Sequence, residues 1–550
     1  MESERGPVLR WEWAVMLLAT ALGGALRLWF LPKVPGLWYD EAINGLDALR
    51  ILREPGLPIF FDTFGHMREP MYMYLETLGV LAGGTTAIAI RAVSTAIGIL
   101  TIPVVWLCAR ELLGRNVAAV AVVCFALMRW HIHFSALAFR TILAPLFACL
   151  VILFLARMLR RKSMPDAALC GAFLGLGAYT YLAFRLMPLI VLPPLLLGLL
   201  QAQRHEGRRA AIGLLKRSGV LVGTAFLVFA PLGVNYIVNP EHFRGRGDEV
   251  TLVQHEQPVR LLLRQARDVA LMPLVRGDHV EKHNIPGPPR FLQTFEAGEL
   301  ETLSLWRQER EAAAREQRPP HDPHGTGLPV FGIVTGLLFY GGLVVLVVRG
   351  RLYPVASLAI ISWLVLGSLA SILSFGAPNM LRLLILTPAT AMVIGLAVVE
   401  VTRHAAARWK AWKGTPAPVY LLVAIPAALL LDQARVDVGR LARWEEHPMV
   451  PAGFNVEWAE MGDFLRGQPD RLPVRMPMDP HPTLVYLADG YTFTTGPPPE
   501  DAESWWELRT EAPFPVLAPA GHARPDSRRL ELWVPAGIRM GELVEVWSEP

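Results

Sequence analysis

Two adjacent carboxylates stand in the run Gly36-Leu37-Trp38-Tyr39-Asp40-Glu41-Ala42, and a third, Glu69, follows in Phe64-Gly65-His66-Met67-Arg68-Glu69-Pro70-Met71-Tyr72. Carboxylates of this kind act on protons or on metals. Five arginines, Arg91, Arg140, Arg185, Arg244 and Arg382, sit at the ends of long apolar runs. A guanidinium beside lipid is expensive unless an anion meets it. The economical anion is a phosphate or diphosphate, which arginine holds in a bidentate manner and which a lipid headgroup also supplies. Other polar residues lie at the same level: His131 and His133 in Arg129-Trp130-His131-Ile132-His133, then Tyr179, Tyr181 and Asn379. The two histidines, two residues apart, do not share a helical face, and an extended segment would place them on one edge.

The elements that must position these groups are membrane spans. The 550-residue chain is 53% hydrophobic and only 18% charged, against about 25% charged in an average soluble protein. That composition excludes a soluble enzyme, a disordered chain and a secreted disulfide scaffold. The four cysteines, Cys108, Cys124, Cys149 and Cys170, all lie in apolar stretches and read as small buried hydrophobes. No basic run interleaved with aromatics points to nucleic acid. The first apolar run lacks a small-residue cleavage site and reads as a retained span.

A helical span needs about 20 apolar residues, and the pattern predicts eleven: 12–31, 86–108, 116–132, 139–158, 166–182, 184–201, 217–238, 328–348, 353–374, 381–400 and 416–432. Lys and Arg set their orientation. With a cytoplasmic N-terminus, the inner loops collect Arg110, Arg115, Arg157, Arg160, Arg161, Lys162, Arg204, Arg208, Arg209, Lys216, Arg349, Arg351, Arg403, Arg408, Lys410 and Lys413, against Glu111 and Glu206. The exterior then receives loops 32–85 and 239–327 and a tail, 433–550. Residues 71–83 are apolar but too short to span, and read as a helix at the interface. In the tail, 455–467 has helical spacing, while 472–476, 483–487, 514–517 and 530–534 read as strands. The fold expected is an all-α polytopic membrane domain, 1–432, followed by a small extracytoplasmic α/β domain, 433–550. Residues 299–325, rich in charge, Pro and His, read as a loop.

In this order and on this side of the membrane, the motifs resemble the GT-C glycosyltransferases, and most closely the family 39-like group that includes protein O-mannosyltransferases and the lipid A aminoarabinose transferase. The resemblance rests on Trp38-Tyr39-Asp40-Glu41-Ala42, Glu69-Pro70, Arg91-Ala92-Val93-Ser94 with Gly98, Ala109-Arg110-Glu111-Leu112-Leu113-Gly114-Arg115, and Pro378-Asn379-Met380-Leu381-Arg382 with Pro388. It covers roughly residues 10–400. One departure stands out. Many relatives carry an acid after the second exterior turn, where this chain reads Ser135-Ala136-Leu137-Ala138-Phe139-Arg140-Thr141.

The resemblance implies a multi-pass enzyme of a bacterial inner membrane whose active site faces away from the cytoplasm. It would move a sugar from a polyprenyl-phosphate donor to an extracytoplasmic acceptor, either a glycan, a lipid or a protein. Asp40 would be the catalytic carboxylate, with Glu41 beside it and Glu69 as a second acid. The leaving group is already an anionic lipid phosphate, so one general base on the acceptor hydroxyl suffices for inverting displacement. Arg91 and Arg382 would hold the phosphate, with Arg140, Arg185 and Arg244 as further partners. Tyr39, His66, Arg68, Tyr72, His131, His133, Tyr179, Tyr181 and Asn379 would meet acceptor or lipid. If a divalent metal takes part, Glu69, His66 and His242 are the residues that would hold it. Two other classes fit part of the pattern: a transporter or flippase of a lipid-linked or anionic solute, and a non-catalytic scaffold. A transporter would show matching halves with broken helices near mid-membrane, and none are found in the sequence.

Overall fold

The computed structural model describes residues 7–244, 258–285 apart from 279, 327–444 apart from 349, 351–352 and 375, then 450, 453–495 apart from 470 and 477–478, and 504–521 apart from 512–513. The expected strand 530–534 and the loop 299–325 lie outside the described residues.

The protein is mostly helical and polytopic. Seven helices are long and apolar enough to cross a membrane: Arg10–Lys33, Ala87–Leu113, Arg140–Arg161, Leu182–Glu206, Arg208–Val238, Pro354–Ile372 and Leu384–Lys413. They coincide with seven of the eleven expected runs. The run 116–132 is instead a pair, Arg115–Leu127 and Arg129–Ser135, bent by 53°; counted as one span it makes eight. The runs 166–182 and 328–348 form the shorter helices Met164–Gly177 and Ile333–Val348. The last run, 416–432, belongs to a 26-residue helix, Val419–Trp444, which continues through the polar residues Asp432, Gln433 and Asp437 and so passes the expected boundary at 432.

The two ends of the bundle differ in chemistry. At one end Glu12 meets Arg110 and Arg115, Glu111 gathers Arg157, Arg160 and Arg161, and Lys162 pairs with Glu206. This is where the basic loops predicted to be cytoplasmic converge. At the other end lie the starts of the spans that begin at Ala87, Arg140, Leu182 and Leu384, and the finish of Arg208–Val238. Arg91, Arg140, Arg185 and Arg382 are therefore all at one level.

Between the first two spans the chain forms helix α1 (Tyr39–Arg53), the hairpin β1–β2 (Phe61–Thr63 and His66–Arg68, antiparallel) and helix α2 (Met71–Gly83). Pro70 precedes α2 directly and Gly84, at φ +68, ends it. With 13 residues α2 is too short to span. Helix α3 (Ala87–Leu113) follows. The short helix α4 (Arg129–Ser135) replaces the extended segment expected for the two histidines.

The tail holds helix α5 (Val456–Arg466), strand β3 (Val474–Arg475), helix α6 (Pro482–Leu487) and strands β4 (Phe493–Thr494), β5 (Ser504–Glu511) and β6 (Phe514–Gly521). Their sheet runs β4-β3-β5-β6, parallel except for the β5–β6 pair. The expected strand at 483–487 is a helix. Pro482 suits its first turn, and the His481 ring accepts the Thr483 N–H as its cap. Met461, Leu465, Val474, Met476, Leu484 and Ala488 form a separate small core.

This tail is fastened to the first loop. Leu37 N–H donates to Phe454 O at 2.8 Å, and Leu37 O accepts from Asn455 Nδ2 and Thr483 Oγ1. Gly36, at φ +46, makes the turn there; a Cβ would lie 2.3 Å from Phe454 O. Tyr486 packs on Gly45 of α1, and Leu37, Ala42, Ala48, Ala459, Tyr486 and Leu487 share one apolar cluster.

Candidate active site

Helix α1 lies at the end of the bundle that carries Arg91, Arg140 and Arg185, and the two acids on its first turn have separate fates. Glu41 is the third helical residue. Its Oε2 accepts the Trp38 N–H at 2.9 Å, closing the helix start, and its Oε1 accepts the Ala138 N–H at 2.7 Å. Arg91 donates to both oxygens, Nε to Oε1 at 2.9 Å and NH2 to Oε2 at 2.8 Å. Arg91 also donates to Val34 O and Pro35 O. Both residues are buried. Asp40, one residue earlier, is half-exposed and makes no hydrogen bond or ion pair to any described residue. The helix dipole favours its charge, and no described residue pairs with it.

That settles Arg91 differently from the expectation that it grips phosphate. Its donors are spent on the protein, so Arg91 joins α1, α3 and the Ala138 turn.

Along α1 the positions 41, 44 and 47 share one face. Asn44 donates to Ala138 O at 3.0 Å, and Asp47 pairs with Arg68 at 3.0 Å while accepting the Thr63 hydroxyl at 2.5 Å. Arg68 and Asp47 are both buried, so Arg68 braces the hairpin onto α1. Burial raises the Asp47 pKa, against the opposing pull of Arg68 and then of the Thr63 hydrogen bond. Glu76 of α2 is wholly enclosed, with no arginine or lysine in ion-pairing distance among the described residues. Burial, then the charges of Glu41 and Asp47, holds its carboxyl well above the usual range.

The second acid, Glu69, is buried between two guanidinium groups: Arg140 Nε at 3.6 Å and Arg185 NH2 at 3.4 Å. Arg185, partly exposed, also donates to Phe243 O at 2.9 Å and to the Tyr236 hydroxyl at 3.0 Å, and lies over both rings. Arg140 lies over Phe139 and Tyr181. Phe139 stacks on Trp38 at 5.2 Å, whose ring Lys282 overlies at 5.0 Å. Tyr39 feels the charges of Asp40 and Arg68, and Asp47 that of Arg140. Burial, and after it the Asp40 charge, raises the Tyr39 pKa. Asp40, Tyr39, Trp38, Arg140, Glu69, Arg185 and Tyr181 thus belong to one neighbourhood.

Other expected contacts are drawn elsewhere. His131 is buried against Arg27, Nδ1 to NH2 at 2.9 Å, and His133 is buried with its Nε2 on Lys282 O at 2.7 Å; on a helix the two rings diverge. The Tyr72 hydroxyl is buried on Ser94 at 2.6 Å. The Tyr179 hydroxyl donates to Val228 O and accepts from Leu232 N. These four serve packing. Arg382 is half-buried; its backbone N–H is held by Asn379 Oδ1 at 3.0 Å and its guanidinium donates to Ser374 Oγ. Arg244 is exposed, on the short helical stretch after Val238.

Of the three residues expected to hold a metal, Glu69 and His242 have other partners. Glu69 is engaged by two cations, His242 bonds to Asn235 Oδ1 at 2.8 Å and stacks on Phe60, and His66 pairs with Thr63 in the hairpin. Among the described residues no group of three or more His, Cys, Asp or Glu forms a ligand set.

Sequence reasoning missed Asp47, Glu76 and Asp278. The last accepts the Met380 N–H at 2.7 Å and pairs with His283 at 2.8 Å, tying the long loop to the Asn379–Arg382 turn. The signal for Asp47 was present in the helical spacing Glu41, Asn44, Asp47. Asp278 and Lys282 carry no local signal.

Residues 67–234 match the family described as dolichyl-phosphate-mannose-protein mannosyltransferase. No curated protein matches the sequence. The fold is similar to that of the oligosaccharyltransferase of Archaeoglobus fulgidus in its apo form, at 14% identity and a TM-score of 0.54, over 90% of this chain and 65% of that one. The same archaeal AglB with an inhibitory peptide and a dolichol-phosphate gives 13% identity and 0.52, over 87% and 64%. This chain therefore spans less than two-thirds of the archaeal protein's length. ArnT from Cupriavidus metallidurans bound to undecaprenyl phosphate gives 13% identity and 0.50, over 87% of this chain and 85% of that one.

Proposed function

We propose that the chain is a GT-C glycosyltransferase akin to the dolichyl-phosphate-mannose-protein mannosyltransferases, the family that residues 67–234 match, and that it transfers a sugar from a polyprenyl phosphate to an acceptor outside the cytoplasm. The neighbours' bound dolichol-phosphate and undecaprenyl phosphate support the donor class. The resemblance supports a bacterial plasma membrane, and the Lys and Arg bias, with the gathering of those residues at one end of the bundle, supports an N-terminus inside.

The observation that carries the proposal is the contrast between Asp40 and Glu41. One carboxylate is consumed by the scaffold, and its neighbour is left half-exposed and unpaired beside Tyr39. Asp40 takes the acceptor's hydroxyl proton as that oxygen attacks the anomeric carbon, and the bond to the lipid phosphate breaks on the opposite face, inverting the configuration. The lipid phosphate leaves as an anion, so no acid is needed on that side. Arg140 and Arg185 flank Glu69, and Arg382 is a third cation at the same level. Fixed positive charge at the leaving oxygen lowers the barrier. Glu69 keeps Arg140 and Arg185 in place until the phosphate arrives, and orients the acceptor. Glu41 holds the turn on which Asp40 stands.

Envelope glycans, glycolipids and glycoproteins compared by mass spectrometry with and without the gene will identify acceptor and sugar. With that pair in hand, Asp40→Asn abolishes transfer while membrane insertion and undecaprenyl phosphate binding persist. Turnover near wild type in Asp40→Asn overturns the base assignment. Translocation of the lipid without transfer overturns the enzyme reading.

A further inference from the structure

The helix Pro258–Leu271, in the long loop that follows Val238, has three distinct faces. Gln265, Asp268 and Val269 are buried, where the helix packs on the span Pro354–Ile372. The Gln265 amide lies 2.9 and 2.8 Å from the carbonyls of Ile372 and Ser374, and its NH2 group donates to both. Past the helix, Met272 O and Pro273 O accept the N–H groups of Val330 and Phe331, just before the helix Ile333–Val348 starts. The helix therefore lies across the ends of two apolar helices, at the end of the bundle where Ser374 accepts from Arg382. Its other two faces are open. Val259 and Leu263, one turn apart, are 68% and 66% exposed, and Ile333 and Leu337 of the neighbouring helix are exposed too. Arg260, Arg264 and Arg267, also at helical spacing, form the second open stripe; the Arg264 and Arg267 side chains are 68% and 57% exposed. Asp268 meets Arg267 at 2.7 Å, Arg276 at 3.3 Å and Arg264 at 3.9 Å. One carboxylate cannot neutralise three guanidinium groups, and Arg260 adds a fourth.

We propose that this helix is a lipid-recognition surface: Arg260, Arg264 and Arg267 take the phosphates of anionic glycerophospholipids in the leaflet on the Arg382 side, while Val259 and Leu263 enter the acyl region. The inference does not depend on the transferase reading. Water suits the arginine stripe but not the apolar one, and hydrocarbon suits the reverse. The boundary between headgroups and acyl chains suits both at once, for a helix that lies along it. The excess of positive charge then selects among headgroups. A zwitterionic lipid brings its own cation, whereas an anionic one brings an uncompensated phosphate, which guanidinium meets in a bidentate manner. The stripe from Arg260 to Arg267 rises about 10 Å along the helix. Three guanidinium groups spread over that length serve several headgroups of a leaflet, where a polyprenyl phosphate would bring one phosphate.

The test places a bimane fluorophore on the full-length protein through Leu263→Cys, the four native cysteines being buried. The labelled protein is held in phosphatidylcholine nanodiscs, and phosphatidylglycerol or phosphatidylcholine with a doxyl quencher on the acyl chain is added at equal mole fraction. The expected result is quenching by both lipids, about threefold or more stronger with phosphatidylglycerol. That preference should disappear in Arg260→Gln/Arg264→Gln/Arg267→Gln and shrink at high salt. Arg267 also pairs with Asp268, so Arg260→Gln/Arg264→Gln, with the preference reduced, serves if the triple variant does not fold; an unchanged melting temperature shows folding. Quenching by neither lipid overturns the proposal, because position 263 then lies outside the acyl region. Equal quenching by the two lipids overturns it, as does a preference that survives loss of the arginines in a folded variant. Loss of the preference on adding undecaprenyl phosphate equimolar with the protein overturns it too, and gives the surface to that lipid.

Discussion

The guanidinium of Arg91 donates in parallel to both oxygens of Glu41, at 2.9 and 2.8 Å, where each residue is almost wholly enclosed. The pair joins the first loop to α3, and the Trp38 and Ala138 N–H groups complete the carboxylate's shell. Breaking one partner of such a pair leaves an uncompensated buried charge, at a cost of about 3–5 kcal/mol. Glu41→Ala and Arg91→Ala should therefore lower the apparent melting temperature in detergent by several degrees. Asp40→Asn should leave it unchanged within error, since Asp40 makes no hydrogen bond or ion pair to a described residue. A melting loss in Asp40→Asn as large as that in Glu41→Ala would contradict this division of labour.

Glu69 lies between Arg140 and Arg185 at 3.6 and 3.4 Å. Both distances are loose for ion pairs, and a phosphate competes for the same two cations. Glu69→Gln should bind undecaprenyl phosphate at least as tightly as wild type while its transfer rate falls. Arg140→Ala and Arg185→Ala should each lose about tenfold or more in lipid affinity, with the loss shrinking at high salt. Titration of the lipid at two ionic strengths measures all three.

Glu76 makes stability depend on pH. Its pKa is raised by burial, then by Glu41 and Asp47, above the ordinary value of about 4.3. Between those two values the folded protein keeps a proton that the unfolded chain has released, so stability falls as pH rises through that window. Glu76→Gln removes the titration. It should melt higher than wild type near pH 8, with the advantage vanishing near pH 4. An advantage that grows toward acid would refute the assignment.

The docking of the tail on α1 turns on Gly45, where an added Cβ would lie 2.5 Å from the Tyr486 ring. Gly45→Ala should cost about 1–3 kcal/mol and speed proteolysis between Trp444 and Val456. Because the tail is hydrogen-bonded to Leu37, close to the turn that carries Asp40, transfer should fall while undecaprenyl phosphate binding holds. Trimming the ring with Tyr486→Leu in the Gly45→Ala background should recover part of the loss. Proteolysis time courses with a parallel lipid titration check this.

What the sequence determined by itself is what local chemistry encodes. Seven spans were legible because each carries an apolar run long enough to cross a bilayer. The acids after the first span, and the resemblance they carry, were legible as a motif. Both acids stand at a helix N-terminus, where Glu41 closes the helix start. Runs 166–182 and 328–348 form shorter apolar helices, Met164–Gly177 and Ile333–Val348, whose lengths the apolar pattern did not fix. The strand expected at 483–487 failed because Pro482 and the His481 cap override β-type residues.

Only the tertiary structure decided which charges are spent and which remain. Arg91, Arg140, Arg185 and Arg382 look alike along the chain, each a cation at a span end. Arg91 is consumed by a carboxylate fifty residues away, whereas Arg140 and Arg185 share one acid loosely. His131 and His133 look like site residues until the helix that carries them turns both into the core. The partners that decide these outcomes, Glu41 for Arg91 or Leu37 for the whole tail, are distant in sequence. Ion pairing and hydrogen bonding depend on distance in space, which hydropathy and spacing do not report.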